Sequence, residues 1–141
     1  FKNNLPEVMG FEVGFQFKLG EDLIKGKIDR VDLAGDQEIE LIDYKTGAPK
    51  DDKLSSEDKT QLLIYQLAAG QLFKEKVKRL TFYYLGNDQK ISFLGNEKEL
   101  EDVRQKVADW ISKIKAGEFP PQPGWNCQFC DYKTICEYRQ L

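Results

Sequence analysis

The sequence predicts an α/β domain with a central mixed β-sheet of about five strands flanked by helices. Apolar and charged residues alternate at 10–19, 26–47 and 77–94, and two longer stretches, 56–76 and 96–116, have apolar residues at helical spacing. A period of two is typical of strands, and a spacing of three and four is typical of helices. The chain has 141 residues, 40% of them hydrophobic, which is enough for one core. We therefore expect one domain.

Charge and hydropathy narrow the possible functions. The net charge is −3, and residues 1–50 carry the whole acidic excess, with 7 Lys and Arg against 10 Asp and Glu. This balance does not favour a protein that holds nucleic acid by general positive charge. It fits an acidic centre that needs a metal to accept a phosphate, and it fits a solvated acidic face equally well. No apolar run approaches the ~20 residues of a membrane span, and no signal peptide is visible, so we expect a soluble protein without a membrane partner.

The first strand is predicted at Gly10–Leu19, as an edge partner of the segment that follows. Glu12 on this strand could approach a metal site, although a solvent-facing glutamate on an edge strand is the simpler interpretation. On the next strand, Asp32 lies on the face opposite Asp29 if the strand is regular. A bulge would instead let Asp32 assist at the same site.

The segment from 26 to 47 predicts two antiparallel strands joined by a turn. Its ends read GKIDRVD at 26–32 and LIDYKTG at 41–47, and turn-forming residues lie between them at 34–37. This pairing brings Asp29 and Asp43 to neighbouring strands. The sequence therefore predicts that two carboxylates meet where the hairpin strands run side by side.

The pleat of the second hairpin strand sorts its side chains between two faces. Asp43 and Lys45 share one face, whereas Tyr44 lies on the other, because side chains alternate along a strand. An ordinary half-buried strand would leave its charged face in water. Here two carboxylates and an ammonium gather at one point, which is an arrangement that suits a divalent metal held against a phosphate.

The first helix is predicted from about Ser56 to Lys76, after a loop rich in turn-forming residues. It is apolar around much of its circumference, which indicates burial between the sheet and another layer. Gln61 and Tyr65 are four residues apart and so share one face of this helix. A polar pair on a buried helix needs partners. A packed core tyrosine beside a surface glutamine is the alternative.

The pattern continues with strands at 77–85 and 90–94 around a turn at 86–89. A second helix follows at 96–116 and is ended by Gly117. The charged side of this helix is interpreted as a solvated face.

The C-terminal residues 119–141 are rich in proline and then carry Cys127, Cys130 and Cys136. An odd number of clustered cysteines is unlike a secreted disulfide framework, which favours a reducing, cytoplasmic setting. With no histidine either, the chain cannot supply four soft ligands for zinc or an iron–sulfur cluster by itself. We expect these thiols to be free, partly oxidised or in a disordered tail.

The order of these motifs resembles the PD-(D/E)XK nuclease superfamily, in particular its RecB-type branch and the nuclease domain of AddB-type helicase-nuclease subunits. The resemblance rests on GKIDRVD at 26–32, IDYKTG at 42–47 and the Gln-x-x-x-Tyr motif at 61–65. Three motifs in this order are far more specific than Asp-x-Lys alone. The resemblance implies a restriction-endonuclease-like core at 1–118 and a cysteine-containing tail at 119–141. Since the chain opens without methionine, we expect that an upstream part of the parent protein is missing.

The resemblance also implies roles for the charged residues of the hairpin. Asp29 and Asp43 would ligate Mg²⁺ or Mn²⁺, with the backbone carbonyl of Tyr44 as a further oxygen ligand. Lys45 would bond to the attacking water or to the scissile phosphate. Because two neighbouring carboxylates favour its charged form, we prefer a positioning and electrostatic role to that of a base.

Two further groups of residues receive implied roles. Gln61 and Tyr65 would orient Lys45 or contact the nucleic-acid backbone. The C-x2-C-x5-C spacing of the three cysteines resembles the C-terminal part of the iron–sulfur staple of AddB-type domains. A [4Fe-4S] cluster is thereby implied for the full-length protein, with its fourth ligand upstream of these 141 residues.

The implied function is a metal-dependent deoxyribonuclease, an exonuclease that processes DNA ends in repair or recombination beside a helicase domain or subunit. The alternative is a catalytically silent nuclease-fold module that binds DNA or a protein within such a complex. Retention of every motif residue argues against the alternative, because a silent scaffold has no physical need for clustered Asp, Asp and Lys side chains.

Overall fold

A computed structural model of the protein describes residues 6–49 and 54–140. The described residues form five strands, two α-helices and one short 3-10 helix. In chain order these are β1 (Glu7–Leu19), β2 (Asp22–Gly35), β3 (Glu38–Lys45), α1 (Ser56–Leu72), β4 (Lys76–Tyr84), β5 (Gln89–Phe93), α2 (Glu97–Lys115) and the 3-10 helix Trp125–Phe129.

The strands form one mixed sheet in the order β1-β2-β3-β4-β5. β3 and β4 run parallel, and the other neighbours run antiparallel. A parallel pair needs a long crossover connection, which α1 supplies. The predicted mixed sheet of five strands with helices is confirmed, and β3 lies at its centre.

The core lies where α1 contacts β1, β3 and β4. Both layers contribute apolar side chains that are buried in the structure. A fully buried Val, Leu, Ile or Phe side chain stabilises a fold by about 1.5–3 kcal/mol. They include Phe15, Phe17, Ile28, Val31, Leu41, Leu80 and Phe82 from the strands, and Leu62, Leu63, Leu67 and Ala68 from α1. The burial of several sides of α1 agrees with its apolar circumference.

β1 and β2 form a long hairpin whose tight turn was not singled out in the sequence. The strands pair out to Leu19 and Asp22, and Gly20 between them has a φ of +63°. Glycine adopts this left-handed conformation at little cost. Both strands are longer than the alternating stretches at 10–19 and 26–47 predict, since β1 begins at Glu7 and β2 at Asp22.

α1 begins with a side-chain cap and ends earlier than predicted. The Ser55 hydroxyl accepts a hydrogen bond from the backbone N–H of Asp58 at 3.1 Å, which satisfies one free donor of the first turn. The helix ends at Leu72 rather than at Lys76, because the Lys76 N–H donates to the carbonyl of Gln37 at 2.9 Å. Lys76 thereby opens β4 instead of closing the helix.

The ends of β3 and β4 are held close together. The N–H of Leu85 donates to the Lys45 carbonyl at 2.9 Å, and the N–H of Gly86 donates to the Gly47 carbonyl at 3.0 Å. A Cβ atom on Gly86 would lie 2.4 Å from that Gly47 oxygen, so only glycine fits without moving the backbone. These bonds fix the chain directly after Lys45.

The chain divides into two compact units, one ending at Lys106 and the other beginning at Val107 within α2. In the second unit, the residues around the cysteines form the 3-10 helix Trp125–Phe129 and the turns after it. Cys127 N–H donates to the Gly124 carbonyl, and Cys136 N–H donates to the Tyr132 carbonyl, both at 2.9 Å. The boundary predicted at residue 118 stays a prediction.

Within the described part of the chain, neither helix combines the length and the apolar character needed to cross a membrane.

Candidate active site

Asp43 lies in the last part of β3 and is only 3% exposed. Its Oδ1 accepts hydrogen bonds from Gln61 Nε2 at 2.8 Å and from the Tyr65 hydroxyl at 3.3 Å. Its buried Oδ2 has no hydrogen-bond donor among the described residues, although Lys45 Nζ lies 2.9 Å away. Lys45 is therefore the charged partner of this oxygen. Oδ1 is bound by two neutral donors of α1, so the two oxygens of Asp43 have different surroundings.

The environment of Asp43 works against its charged form. Burial has the largest effect and raises the pKa of Asp43, and the charge of Asp29 acts in the same direction. Lys45 opposes both effects, and the pKa of Asp43 remains above its usual value. A cation at Oδ2 would favour the carboxylate, since an opposite charge nearby stabilises the ionised form.

Asp29 is brought to the same place by the register of the hairpin. The last β2–β3 pair is Arg30 with Ile42, and continuing this register places Asp29 opposite Asp43. Asp29 Oδ2 accepts a hydrogen bond from the backbone N–H of Tyr44 at 2.9 Å. The structure therefore brings together the two carboxylates that the hairpin predicts.

Lys45 closes the cluster at the end of β3. Its Nζ donates to Gln61 Oε1 at 2.8 Å and lies 4.7 Å from the centre of the Phe82 ring, in addition to its contact with Asp43. The side chain remains 30% exposed. The ammonium is thus fixed by its neighbours and still accessible, as contact with a bound anion requires.

Gln61 and Tyr65 extend from α1 to the carboxylates. Gln61 Nε2 donates to Asp43 Oδ1 and to the Tyr65 hydroxyl at 3.0 Å, while its Oε1 accepts from Lys45. The Tyr65 ring packs edge-on against Phe15, with ring centres 5.8 Å apart. Burial, and then the charges of the two aspartates, raise the pKa of Tyr65, so its hydroxyl stays protonated and donates. The structure places both side chains in the cluster, and their catalytic roles stay predictions.

Asp32 and Glu12 do not join this cluster. Asp32 is 2% exposed and lies on the opposite face of the sheet, where it accepts hydrogen bonds from Arg30 at 2.6 and 2.8 Å. Glu12 is exposed and lies 3.5 Å from Lys27 Nζ. β2 is therefore regular at Asp32, without the bulge that would have turned Asp32 toward the site. Glu12 faces solvent, which was the simpler interpretation.

A second polar cluster lies on the face of the sheet opposite Asp43, and we call it the reverse-face cluster. It consists of Arg30, Asp32 and the ring of Tyr44, whose hydroxyl accepts a hydrogen bond from Arg30 Nη1 at 3.1 Å. Sequence analysis did not assign Arg30 or the Tyr44 side chain. A signal was present, because Arg30 and Asp32 are two apart on a strand and so share a face.

The donor set around Asp43 suits a hard divalent cation. It offers two carboxylates and the backbone oxygens of β3, and Asp43 Oδ2 lacks a hydrogen-bond donor among the described residues. Hard cations prefer oxygen ligands and retain water in their remaining positions. In the described ranges, no three or more Cys, His, Asp or Glu side chains form a group able to hold a metal.

The three cysteines are free of disulfides and do not converge on one point. Cys127 Sγ accepts a hydrogen bond from the Gly124 N–H at 3.3 Å, which lowers the pKa of its thiol, and Cys130 is exposed. Together with Cys136 they form no group that could hold a metal within residues 6–49 and 54–140. This arrangement does not fit an iron–sulfur cluster as it stands.

The chain is similar to known proteins at the level of family and fold. The family model described as the PD-(D/E)XK nuclease superfamily matches residues 2–137. The crystal structure of SSO0001 has a TM-score of 0.58 and 19% identity, with 94% of this chain and 62% of that chain covered. A protein from Eubacterium rectale named "Putative exonuclease" has a TM-score of 0.55 and 17% identity, with 94% and 54% covered.

The chain spans less than two thirds of either of these proteins. At such identities the likeness shows a shared fold. No curated protein matches the chain.

Proposed function

The chain belongs to the PD-(D/E)XK nuclease superfamily, and on this premise we propose that it is a metal-dependent nuclease domain that hydrolyses phosphodiester bonds in DNA. The observation that carries the proposal is the hydrogen-bonded convergence of Asp43, Lys45 and Gln61 at the end of β3. A purely structural role gives no reason to bury this carboxylate beside a second one, Asp29, which raises the pKa of Asp43 in the same direction as burial does.

Three groups of β2 and β3 would hold the metal, Mg²⁺ or Mn²⁺. They are the carboxylates of Asp29 and Asp43 and the backbone carbonyl of Tyr44. A metal bound there supplies an acidified water and neutralises the charge that develops on the phosphate. Asp29 is oriented for this role by the N–H of Tyr44, which occupies one of its oxygens.

The remaining side chains position the reacting groups. Gln61 and Tyr65 donate to Oδ1 of Asp43, which leaves Oδ2 for a cation. Lys45, held by Gln61 and partly exposed, would bind the scissile phosphate or the attacking water through Nζ. The ammonium would act by electrostatic attraction and orientation rather than as a base.

The proposal is tested by incubating the full-length protein with DNA in the presence of Mg²⁺, Mn²⁺ or EDTA. We expect cleavage with either metal and none with EDTA, together with Mn²⁺ binding by calorimetry. DNA binding without cleavage under every metal condition would contradict the proposal and favour a silent nuclease-fold module.

We further propose that the protein belongs to the RecB-type, AddB-like branch and degrades DNA from its ends in repair or recombination, in the cytoplasm, with a helicase domain or subunit as partner. The motifs at 26–32, 42–47 and 61–65 support this branch. The full-length protein is expected to degrade linear DNA and to spare a covalently closed circle. Equal rates on both substrates would identify an endonuclease instead.

A [4Fe-4S] cluster in the full-length protein is supported by the spacing of Cys127, Cys130 and Cys136. The fourth ligand would come from outside these residues, since they contain three cysteines and no histidine. Assembly would also have to draw the three thiols together. Anaerobically purified protein is expected to contain about four iron and four sulfide per chain, and Cys130→Ser should lose most of both. Wild-type protein without iron would contradict the cluster.

Gln61→Leu is expected to lower kcat by about 10- to 100-fold, because it removes the bonds that orient Lys45 and Asp43 while leaving both in place. Gln66→Leu is the matched control on the same helix. Gln66 makes two hydrogen bonds to the backbone of Gly95, both at 3.0 Å. Its loss should cost about 1–3 kcal/mol of stability and leave kcat unchanged. Full kcat in the Gln61 variant would refute its positioning role.

A further inference from the structure

Tyr44 takes part in polar contacts on both faces of the sheet. Its backbone N–H donates to Asp29 Oδ2 at 2.9 Å beside the candidate metal site. Its hydroxyl accepts from Arg30 Nη1 at 3.1 Å on the reverse face. One residue therefore connects the reverse-face cluster to a carboxylate of the site.

Arg30 is a fixed donor at this position. Its Nε and Nη2 bind the two carboxylate oxygens of Asp32 at 2.6 and 2.8 Å, and its guanidinium lies 5.6 Å from the centre of the Phe11 ring. Such a two-pronged pair fixes orientation as well as distance. Because Asp32 is buried, the pair is also shielded from solvent.

The contact between Arg30 and Tyr44 lies where regular pairing of β2 and β3 stops. The backbone register ends at Arg30 and Ile42, one position before Asp29 and Asp43. At this end the structure shows side-chain bonds between the strands instead, from Arg30 to Tyr44 and from Tyr44 to Asp29. These two bonds join the strands directly beside the two carboxylates.

We propose that Arg30 and the Tyr44 hydroxyl form a positioning clamp that sets the spacing of Asp29 and Asp43 for a divalent metal. The inference rests on the proposed function of the site. Without the clamp, the end of β3 gains freedom to move relative to β2, and the carboxylates lose their arrangement for a single cation. Metal affinity should then fall more than the stability of the fold.

Tyr44→Phe tests the clamp with the smallest change, because it keeps the ring and the backbone N–H. Calorimetry with Mn²⁺ alone is expected to give a Kd raised about 10-fold, in the range found for partners of metal ligands. The Mn²⁺ concentration for half-maximal DNA cleavage should rise by a similar factor, with kcat at saturating metal changed less than threefold. Arg30→Lys keeps the charge but loses the two-pronged geometry, and it should weaken binding similarly.

Two matched controls lie on the same face of the sheet. Tyr83→Phe removes the neighbouring hydroxyl, which binds Asp88, and Arg79→Lys alters the ion pair with Glu40. Both should leave the Mn²⁺ affinity unchanged.

The outcomes separate the clamp from the function on which it rests. Wild-type protein that binds no Mn²⁺ would overturn the proposed function. Wild-type binding that Tyr44→Phe and Arg30→Lys leave unaltered would overturn the clamp alone. Equal weakening in the control variants would also overturn it, since the effect would then belong to the sheet as a whole.

Discussion

Asp43→Asn is expected to reduce metal-dependent DNA hydrolysis by at least about 1000-fold in kcat and to abolish calorimetric Mn²⁺ binding. The substitution removes the negative charge of the carboxylate, and its amide nitrogen cannot ligate a cation. Loss of several kcal/mol of electrostatic stabilisation in the transition state corresponds to a rate effect of this size. Initial rates on linear DNA at saturating Mg²⁺ measure it. Activity within tenfold of wild type would show that the metal is held elsewhere.

The same variant has a second readout in metal-free protein. Burial raises the pKa of Asp43 in the folded state, so the contribution of this group to stability is full below its unfolded pKa of about 3.9 and is lost as pH rises through the folded pKa. In EDTA at neutral pH, Asp43→Asn should therefore melt at a higher temperature than wild type. The difference should vanish as the pH approaches about 4. A variant that melts lower at neutral pH would contradict this assignment of the pKa.

Lys45→Met is expected to lower kcat by about 100- to 1000-fold while Mn²⁺ binding remains intact or becomes tighter. The ammonium lies 2.9 Å from Asp43 Oδ2 and competes with a cation for that oxygen, so its removal cannot weaken a metal bound there by loss of a ligand. Rates at saturating metal and calorimetry on the same preparation separate the two effects.

Lys78→Met is the matched control, because Lys78 also forms an ion pair on the sheet, with Glu38 at 2.7 Å, but lies outside the site. Lys78→Met should change neither kcat nor Mn²⁺ binding. Full kcat in Lys45→Met would remove this lysine from the mechanism, and lost Mn²⁺ binding would assign it a role in building the metal site.

The central part of the fold was predictable because strand alternation is a strong local constraint. The charged residues of the hairpin could be assigned to faces from their spacing alone. The β2–β3 register, continued one position past Arg30 and Ile42, places Asp29 beside Asp43 as that assignment requires. The helical spacing of Gln61 and Tyr65 likewise placed them on one side of α1. Local periodicity thus assigned these side chains to faces of their elements, and the resemblance to the nuclease family assigned them to one candidate site.

Features that depend on distant partners were not predictable. The early end of α1 depends on the bond from Lys76 to Gln37, which joins segments far apart in the chain. The division of the Asp43 oxygens between Lys45 at Oδ2 and the two donors of α1 at Oδ1 depends on side-chain orientation, which periodicity does not specify. The contacts of Arg30 were not predicted, because a charged residue on a strand is equally consistent with simple exposure to solvent.

The side chains of the candidate site all come from a single continuous stretch, residues 29–65, and they are Asp29, Asp43, Lys45, Gln61 and Tyr65. Their mutual contacts are hence short in sequence, and the loops that must close to form them are small. Added domains before β1 or after α2 would leave this stretch uninterrupted. Chains with different domain architectures can therefore contain this candidate site without interruption of its sequence.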